Sequence, residues 1–481
     1  MAAVLLAIFP LGFPNYDTIY ALLWGREMAH GLSPDMSAAL PPTPHPLTEL
    51  FGMALTPLGD GAIGVTMVLA YVSLGLVGYL VYRLGALWFD RPIGAVAALI
   101  VLTRAPYLSN GLRAYIDLPY IVLCLAALAV EAKRPRAGWP VLALLALAGL
   151  LRPEAWLFSF AYLAYMLLSA ERPDSREEPE STGLVRASLL RAWTNLLSPS
   201  GMGLLALAFA GPVGWAIFDW ITASSPTYSF TGTRETVETL ERQTGPLDLV
   251  LYGPRRLGEV LQWPGMVGAA GGIVLGLAFL RRRSTLGVAA AALALGAFAI
   301  LASAGLAIIP RYTMLAAAVL AIFTAVALLG WRLLEPGHPW RRAWQAFAAV
   351  LVLMFVVWGP NQYDLLRKVD TDLTNQAKVE EDLGDLADSG AFDRPCGPIS
   401  VPNHRAVPRL AFDLDVRPSQ IVSFSEQHQP SRGYFLDPAT PFVVHNFILD
   451  PNDPARLATP VPPGFREVAA NESWVLYRKC G

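Results

Sequence analysis

Charge is what this sequence has least of. Only 15% of its 481 residues are Asp, Glu, Lys or Arg, against about a quarter in an ordinary soluble domain. Hydrophobic residues make up 54% of the chain and its mean hydropathy is +0.43, values that exclude a disordered chain and a soluble multidomain enzyme. Nor is there a basic excess. Lys and Arg number 36 against 38 Asp and Glu, a net charge of −2, so no positive field points to a nucleic-acid partner. No long internal repeat is evident. The apolar start lacks the basic n-region and small-residue cleavage site of a signal peptide. What remains is an integral membrane protein whose partner throughout is the lipid bilayer.

Eleven apolar stretches are candidate spans, the shorter ones included: 1–13, 62–82, 92–108, 116–131, 139–151, 155–168, 201–218, 264–280, 285–309, 311–331 and 344–359. The first is too short to cross fully. Alternate connections are basic: Arg83 and Arg91; Lys133, Arg134 and Arg136; Arg172, Arg176, Arg186 and Arg191; Arg281, Arg282 and Arg283; Arg332, Arg341 and Arg342. Short loops rich in Lys and Arg stay cytoplasmic. This predicts a multi-pass protein of the plasma (inner) membrane with its N-terminus inside. Loops 14–61, 109–115 and 219–263, the turn near 309–310 and everything after 360 then lie outside.

From 360 the composition turns polar and rich in Asp and Pro. Helical periodicity marks 361–388. Short strands are expected at 399–401, 420–423 and 441–447, with a hairpin of 465–469 and 474–478. The chain thus divides into a membrane body, 1–359, and a soluble α+β cap, 360–481. Cys124 lies in an apolar run, whereas Cys396 and Cys480 both fall in the outer region, where an oxidising compartment favours a disulfide between them. His404, His428 and His445 show no ligand spacing, so no metal is assigned. Residues 171–182 read as a charged, disordered cytoplasmic loop, and 231–245 as a short exposed helix in which Thr233 is spaced for a cap.

Ionisable residues at span ends are functional hypotheses, and here they gather on the outer side. Asp17 follows the first stretch. Arg104 and Arg113 bracket the next outer loop, Asp117 begins the span after it, Arg152 and Glu154 flank Pro153, and Arg311 follows Pro310. The first outer loop runs Asn15-Tyr16-Asp17, continues as an amphipathic helix at 18–30 suited to the lipid interface, and reaches Pro41-Pro42-Thr43-Pro44-His45-Pro46-Leu47. Asp17 reads equally as a helix N-cap or as a base. His45 among prolines reads as structural or as a substrate ligand. Arg152 and Glu154 fit either a structural pair at the Pro153 kink or a place in the site. Asp117 is a second base, an orienter or an ion-pair partner of Arg113.

An Asp after the first span, the Pro-Pro-x-x-His-Pro-Leu turn, a second Asp in Arg113-Ala114-Tyr115-Ile116-Asp117 and an outer cap together resemble the GT-C superfamily of membrane glycosyltransferases. That superfamily includes protein O-mannosyltransferases, the lipid A aminoarabinose transferase and actinobacterial arabinofuranosyl- and mannosyltransferases. The resemblance covers residues 1–170 best. It implies a mainly α, polytopic GT-C-like body and an inverting transfer of a hexosyl or pentosyl unit from a polyprenyl-phosphate donor. The acceptor it implies is an envelope glycan, lipid or protein, and Asp17 is the implied general base. Many members carry two adjacent acids where this chain has Tyr16-Asp17. No cofactor is therefore assigned, and a divalent cation stays an open alternative.

The chemistry asks for the same parts. A carboxylate must take the acceptor's proton, and guanidinium forks suit the leaving phosphate. Arg311 is the first candidate for the phosphate. Arg255 and Arg256 come next, with lipid head groups as their other reading. A transporter or flippase is the competing reading. Such proteins hold their charges near the bilayer midplane, whereas these collect at one face. A scaffold with a partner-binding cap is a third, and it leaves the outer Asp and Arg residues unexplained.

Overall fold

The computed structural model describes residues 12–168, 198–392, 396–423, 431–447 and 461–480. Most of the first apolar stretch, the 171–182 loop, the basic residues of 172–191 and His428 lie outside these. Among the described residues six helices are long and apolar enough to cross a membrane, or seven if one bent pair counts as a single span. The chain is a mostly helical, multi-pass membrane protein.

Helices α1 (Tyr16–Ala29) and α2 (Pro46–Leu55) form the loop that follows the first apolar stretch. They cross at Gly25 and Gly52, where a Cβ on either would overlap the other's backbone. The body follows with α3 (Gly61–Trp88), then α4 (Arg91–Leu102) bent by 64° into α5 (Ala105–Leu112), and α6 (Asp117–Lys133). The stretches expected at 139–151 and 155–168 are the short helices α7 (Trp139–Gly149) and α8 (Glu154–Leu168). Next come α9 (Pro199–Ala223), α10 (Tyr228–Thr239) and α11 (Gly245–Phe279). The span expected at 264–280 is only the second half of α11, which breaks at Gln262 (φ 62°, ψ 166°) two residues before Pro264. The body closes with α12 (Arg281–Ser303) and α13 (Met314–Leu329).

Helix α13 is the axis of the body. Every residue from Met314 to Ala327 is buried, as expected of a helix that is apolar all round. A 3₁₀ turn, Pro310–Thr313, leads into it. The fixed φ of Pro310 suits the first position of such a turn. Arg311 and Tyr312 therefore stand at the end of the most enclosed helix in the molecule.

Helix α14 (Arg341–Asp388) runs 48 residues, through Pro360, from the last apolar stretch into the C-terminal region. There a five-stranded sheet is ordered β2-β1-β3-β5-β4. Its strands are β1 (Ile399–Val401), β2 (Ile421–Ser423), β3 (Gly433–Pro438), β4 (Arg466–Ala470) and β5 (Trp474–Lys479). Strands β2 and β3 run parallel to β1, and β3, β5 and β4 are antiparallel. Helices α15 (Val407–Asp413) and α16 (Pro441–Phe447) accompany the sheet. The hairpin of β4 and β5 falls where the alternation places it. The strand expected at 441–447 is instead helix α16, and its place in the sheet is taken by β3. Pro441 at the first position starts a helix that buries Val443 and Phe447 on one face. Cys396 and Cys480 form a disulfide that joins the residues flanking the sheet.

One expectation about the first loop is overturned. Helix α1 is not an amphipathic helix lying on lipid: Thr18 through Gly25 are all buried. Ile19, Tyr20, Leu22, Leu23 and Trp24 share one apolar core with Val379 and Leu383 of α14, Val401, Leu410, Leu436 and Trp474. The face that looked free in sequence is covered by the C-terminal region, and Arg417 reaches down to Glu27 at 3.1 Å to hold it there.

Candidate functional site

The site forms where the helix ends at Arg113, Asp117, Arg152 and Arg311 meet α1. Asn15, in extended backbone, caps α1: its Oδ1 accepts from the N–H groups of Asp17 (2.8 Å) and Thr18 (3.3 Å). Its Nδ2 donates to Arg113 O at 2.8 Å, which ties the start of α1 to the loop before α6. Asp17 is therefore not the cap. Its side chain, 24% exposed, faces Arg311, with Nη1 and Oδ2 3.4 Å apart. The Arg311 guanidinium lies over the rings of Tyr115 and Tyr312, each 5.4 Å from the centroid, and its buried Nε has no hydrogen-bond partner.

Tyr312 joins this pair to a second group. Its other neighbour is Arg152, 4.2 Å from the ring centroid. Arg152 pairs with Asp117 and, at 2.7 Å, with Glu154, all three nearly excluded from solvent. Asp117 thus pairs with Arg152 and not with Arg113. The reason is geometric: Arg113 leaves toward α14, donating to Gln376 Oε1 at 2.8 Å, while the 151–154 turn delivers Arg152 to the first turn of α6. Two carboxylates on one buried guanidinium leave one negative charge in excess, and the triad fixes the framework around Tyr312.

His45 comes to the same place. It caps α2, its ring packs on Trp215 at 5.5 Å, and its Nδ1 has no partner. Burial pushes the imidazole down to about 3, with Arg152 and Arg311 acting in the same sense and Asp17 against them. The ring is thus neutral at neutral pH. The His45 backbone N–H donates to Glu49 Oε1 at 2.8 Å, and burial lifts that carboxyl to about 8. Tyr16 points the other way, donating to Leu40 O at 3.0 Å.

The remaining candidates separate. Arg104 is buried away from the acids, donating to Ile100 O and to Gln262 Oε1 at the break in α11. Arg256 donates to Ile308 O and Gln243 and pairs with Glu259, while Arg255 is 70% exposed and also contacts Glu259. Thr233 sits within α10 instead of capping it: its hydroxyl donates to Ser229 O and touches Thr43, which links the 14–61 and 219–263 loops. Sequence reasoning missed Asn15, Tyr115, Tyr312 and Glu49. Asn15 carried a readable signal, an Asn directly before a helical run.

Among the described residues no group of three or more His, Cys, Asp or Glu is gathered for a metal. Asp17 faces Arg311 at 3.4 Å, and among the described residues no second acid is gathered with it as a divalent ion would call for.

Neither a protein-family model nor a curated protein sequence matches the chain. Solved structures do. ArnT from Cupriavidus metallidurans bound to undecaprenyl phosphate matches over 99% of this chain and 96% of that one, at 14% identity and a TM-score of 0.52. Its apo state matches over the same shares at 0.51. The archaeal oligosaccharyltransferase AglB from Archaeoglobus fulgidus, in complex with an inhibitory peptide and a dolichol-phosphate, matches over 86% of this chain and 61% of that one, at 15% identity and 0.44. ArnT is a GT-C membrane glycosyltransferase, and the chain has its fold.

Proposed function

We propose that this chain is an inverting glycosyltransferase that moves a hexosyl or pentosyl unit from a polyprenyl-phosphate donor to a hydroxyl of an envelope glycan, lipid or protein. The reading places residues 1–359 as the membrane body, with the N-terminus cytoplasmic, and residues 360–481 as a cap on the outer face of the inner membrane. Eleven crossings fit that orientation. A single observation carries the chemistry: Asp17, released from capping by Asn15, faces Arg311 at 3.4 Å. The undecaprenyl phosphate bound by the similarly folded ArnT supports the donor class.

In this reaction Asp17 takes the proton from the acceptor hydroxyl. The acceptor oxygen forms its bond to the anomeric carbon as the bond from that carbon to the phosphate oxygen breaks. The electron pair leaves on the phosphate, where the unpartnered Arg311 Nε and the remaining guanidinium N–H groups stabilise it. A single base and no second nucleophile give inversion. Asp117 acts with Glu154 by holding Arg152 against Tyr312. Neutral His45 supplies a hydrogen-bonding nitrogen beside Asp17 without adding charge.

The test incubates the purified protein and its Asp17→Asn variant with polyprenyl-phosphate sugars, mannose and arabinofuranose donors among them, with and without a crude envelope acceptor. Wild type releases polyprenyl phosphate and the variant loses most of that release while still binding the lipid. The break of α11 at Gln262 gives the flippase reading its one structural support. Labelled lipid crossing the bilayer with no release from any donor would establish that reading instead.

A further inference from the structure

Strand β1 lies between two parallel neighbours, β2 on one side and β3 on the other. The chain leaves the C-terminal end of β1 toward α15 and β2. The residues at that end are Asn403, His404 and Arg405.

Two donors on this turn are orphaned. Asn403, 5% exposed, uses its Oδ1 on the Arg405 N–H at 2.6 Å and leaves its Nδ2 without a partner. Arg405 Nε is buried and also unpartnered, and among the described residues no carboxylate forms an ion pair with its guanidinium. Buried donors without acceptors are costly, and charged ones more so. Glu380 of α14 and Arg242 also act on this turn electrostatically.

The position relative to the site is specific. The Arg405 guanidinium lies 5.7 Å from the centroid of the Tyr16 ring, and His404 meets the same ring edge-on at 5.5 Å. Tyr16 directly precedes Asp17. The first turn of α1 thus stands between a cation from the membrane body, Arg311, and a cation from the sheet, Arg405. Since Arg311 is placed to hold the leaving phosphate, a second anion at Arg405 belongs to the molecule that comes from the other side.

We propose that Asn403 and Arg405 form a second anion-binding subsite, at the C-terminal end of β1, for a phosphate or carboxylate group carried by the sugar acceptor. The acceptor part of this assignment rests on the transferase reading; the anion subsite does not.

Inorganic pyrophosphate is the probe, titrated calorimetrically into the full chain in phosphatidylcholine nanodiscs. Wild type shows a binding event that Arg405→Gln weakens tenfold or more and that Arg311→Gln retains. Arg466→Gln, the same change on exposed β4, also retains it. Pyrophosphate binding unchanged in Arg405→Gln overturns the proposal. If Arg405→Gln fails to keep the wild-type melting temperature, Asn403→Ala decides in its place, with a several-fold weakening expected and no weakening overturning it. Repeating the titration in phosphatidylglycerol nanodiscs separates the sources. An event that persists supports an acceptor-borne anion, and one suppressed by the anionic lipid overturns that assignment in favour of a head group. Release of polyprenyl phosphate by wild type is scored separately, so failure of the transferase reading and failure of the anion subsite are told apart.

Discussion

Asn15 accepts the backbone N–H of Asp17 at 2.8 Å, and that bond decides what the Asp17 carboxylate is free to do. A helix start needs an acceptor for its first amides, and either residue has the chemistry to provide one. Because Asn15 does so, the acid turns outward to Arg311. Asn15→Ala is expected to cost about 1–2 kcal/mol of stability and to lower turnover, as Asp17 is drawn toward the uncapped amides. Asn15→Ser keeps an acceptor and retains most of both. Thermal unfolding and donor turnover, measured on the same preparations, check this; equal turnover in Asn15→Ala and wild type would refute the linkage.

Arg152 answers two buried carboxylates at once. Removing it as Arg152→Ala strands Asp117 and Glu154 and should cost on the order of 3–5 kcal/mol. Arg152→Lys recovers only part, since an ammonium cannot fork to both acids. In an Asp117→Asn background the cost of Arg152→Ala shrinks, and an unfolding double-mutant cycle reads the coupling. Strict additivity would mean that the pair is not coupled.

The arginines are predicted to be unequal. Arg311→Lys keeps a charge but loses the geometry of the fork, so donor KM rises by tenfold or more. Arg255→Gln, on an exposed side chain already turned to Glu259, changes stability by less than about 0.5 kcal/mol and donor KM little. Steady-state kinetics with one donor compares them directly. A larger donor effect at Arg255 would move the phosphate site to α11.

Glu49 and His45 give the 14–61 loop a defined pH response. The Glu49 carboxyl is raised from 4.5 to about 8, so its contribution is fully present below 4.5 and fades as pH climbs toward 8. The His45 ring is lowered from 6.5 to about 3, so its contribution is present above 6.5 and is lost as pH falls toward 3. Between about 6.5 and 8 only Glu49 of the two titrates. Glu49→Gln, which still offers an oxygen to the His45 N–H, should therefore gain melting temperature relative to wild type as pH rises through that window. A difference that stays flat from pH 6 to 8 would show that Glu49 is already ionised.

Much of this architecture could be read from residue order because its causes are local. Long apolar runs become long helices, and the alternation of 465–469 and 474–478 becomes a hairpin. The sequence also brought Asp17 and Arg311 forward as the two principal candidates. What could not be read depends on distant packing. The 18–30 segment has the pattern of an interfacial helix, yet its outer face is covered by residues that come more than 350 positions later. Arg113 and Asp117 are four positions apart, but their partners arrive from α14 and the 151–154 turn. Residues 441–447 contain β-formers, and Pro441 turns them into a helix.

The shared core of α1 and the C-terminal sheet sets an order of events during synthesis. Trp24 and Tyr20 are made early, but Val379, Val401 and Trp474, which cover them, follow roughly 350 residues or more later. At ~5–20 residues per second the first helix waits on the order of 20–90 s for its cover. Through that interval an apolar surface stands open, so the last fifth of the chain completes the first. A chain truncated after residue 360 should therefore present Trp24 to a soluble quencher and be degraded as though its opening loop were the damaged part.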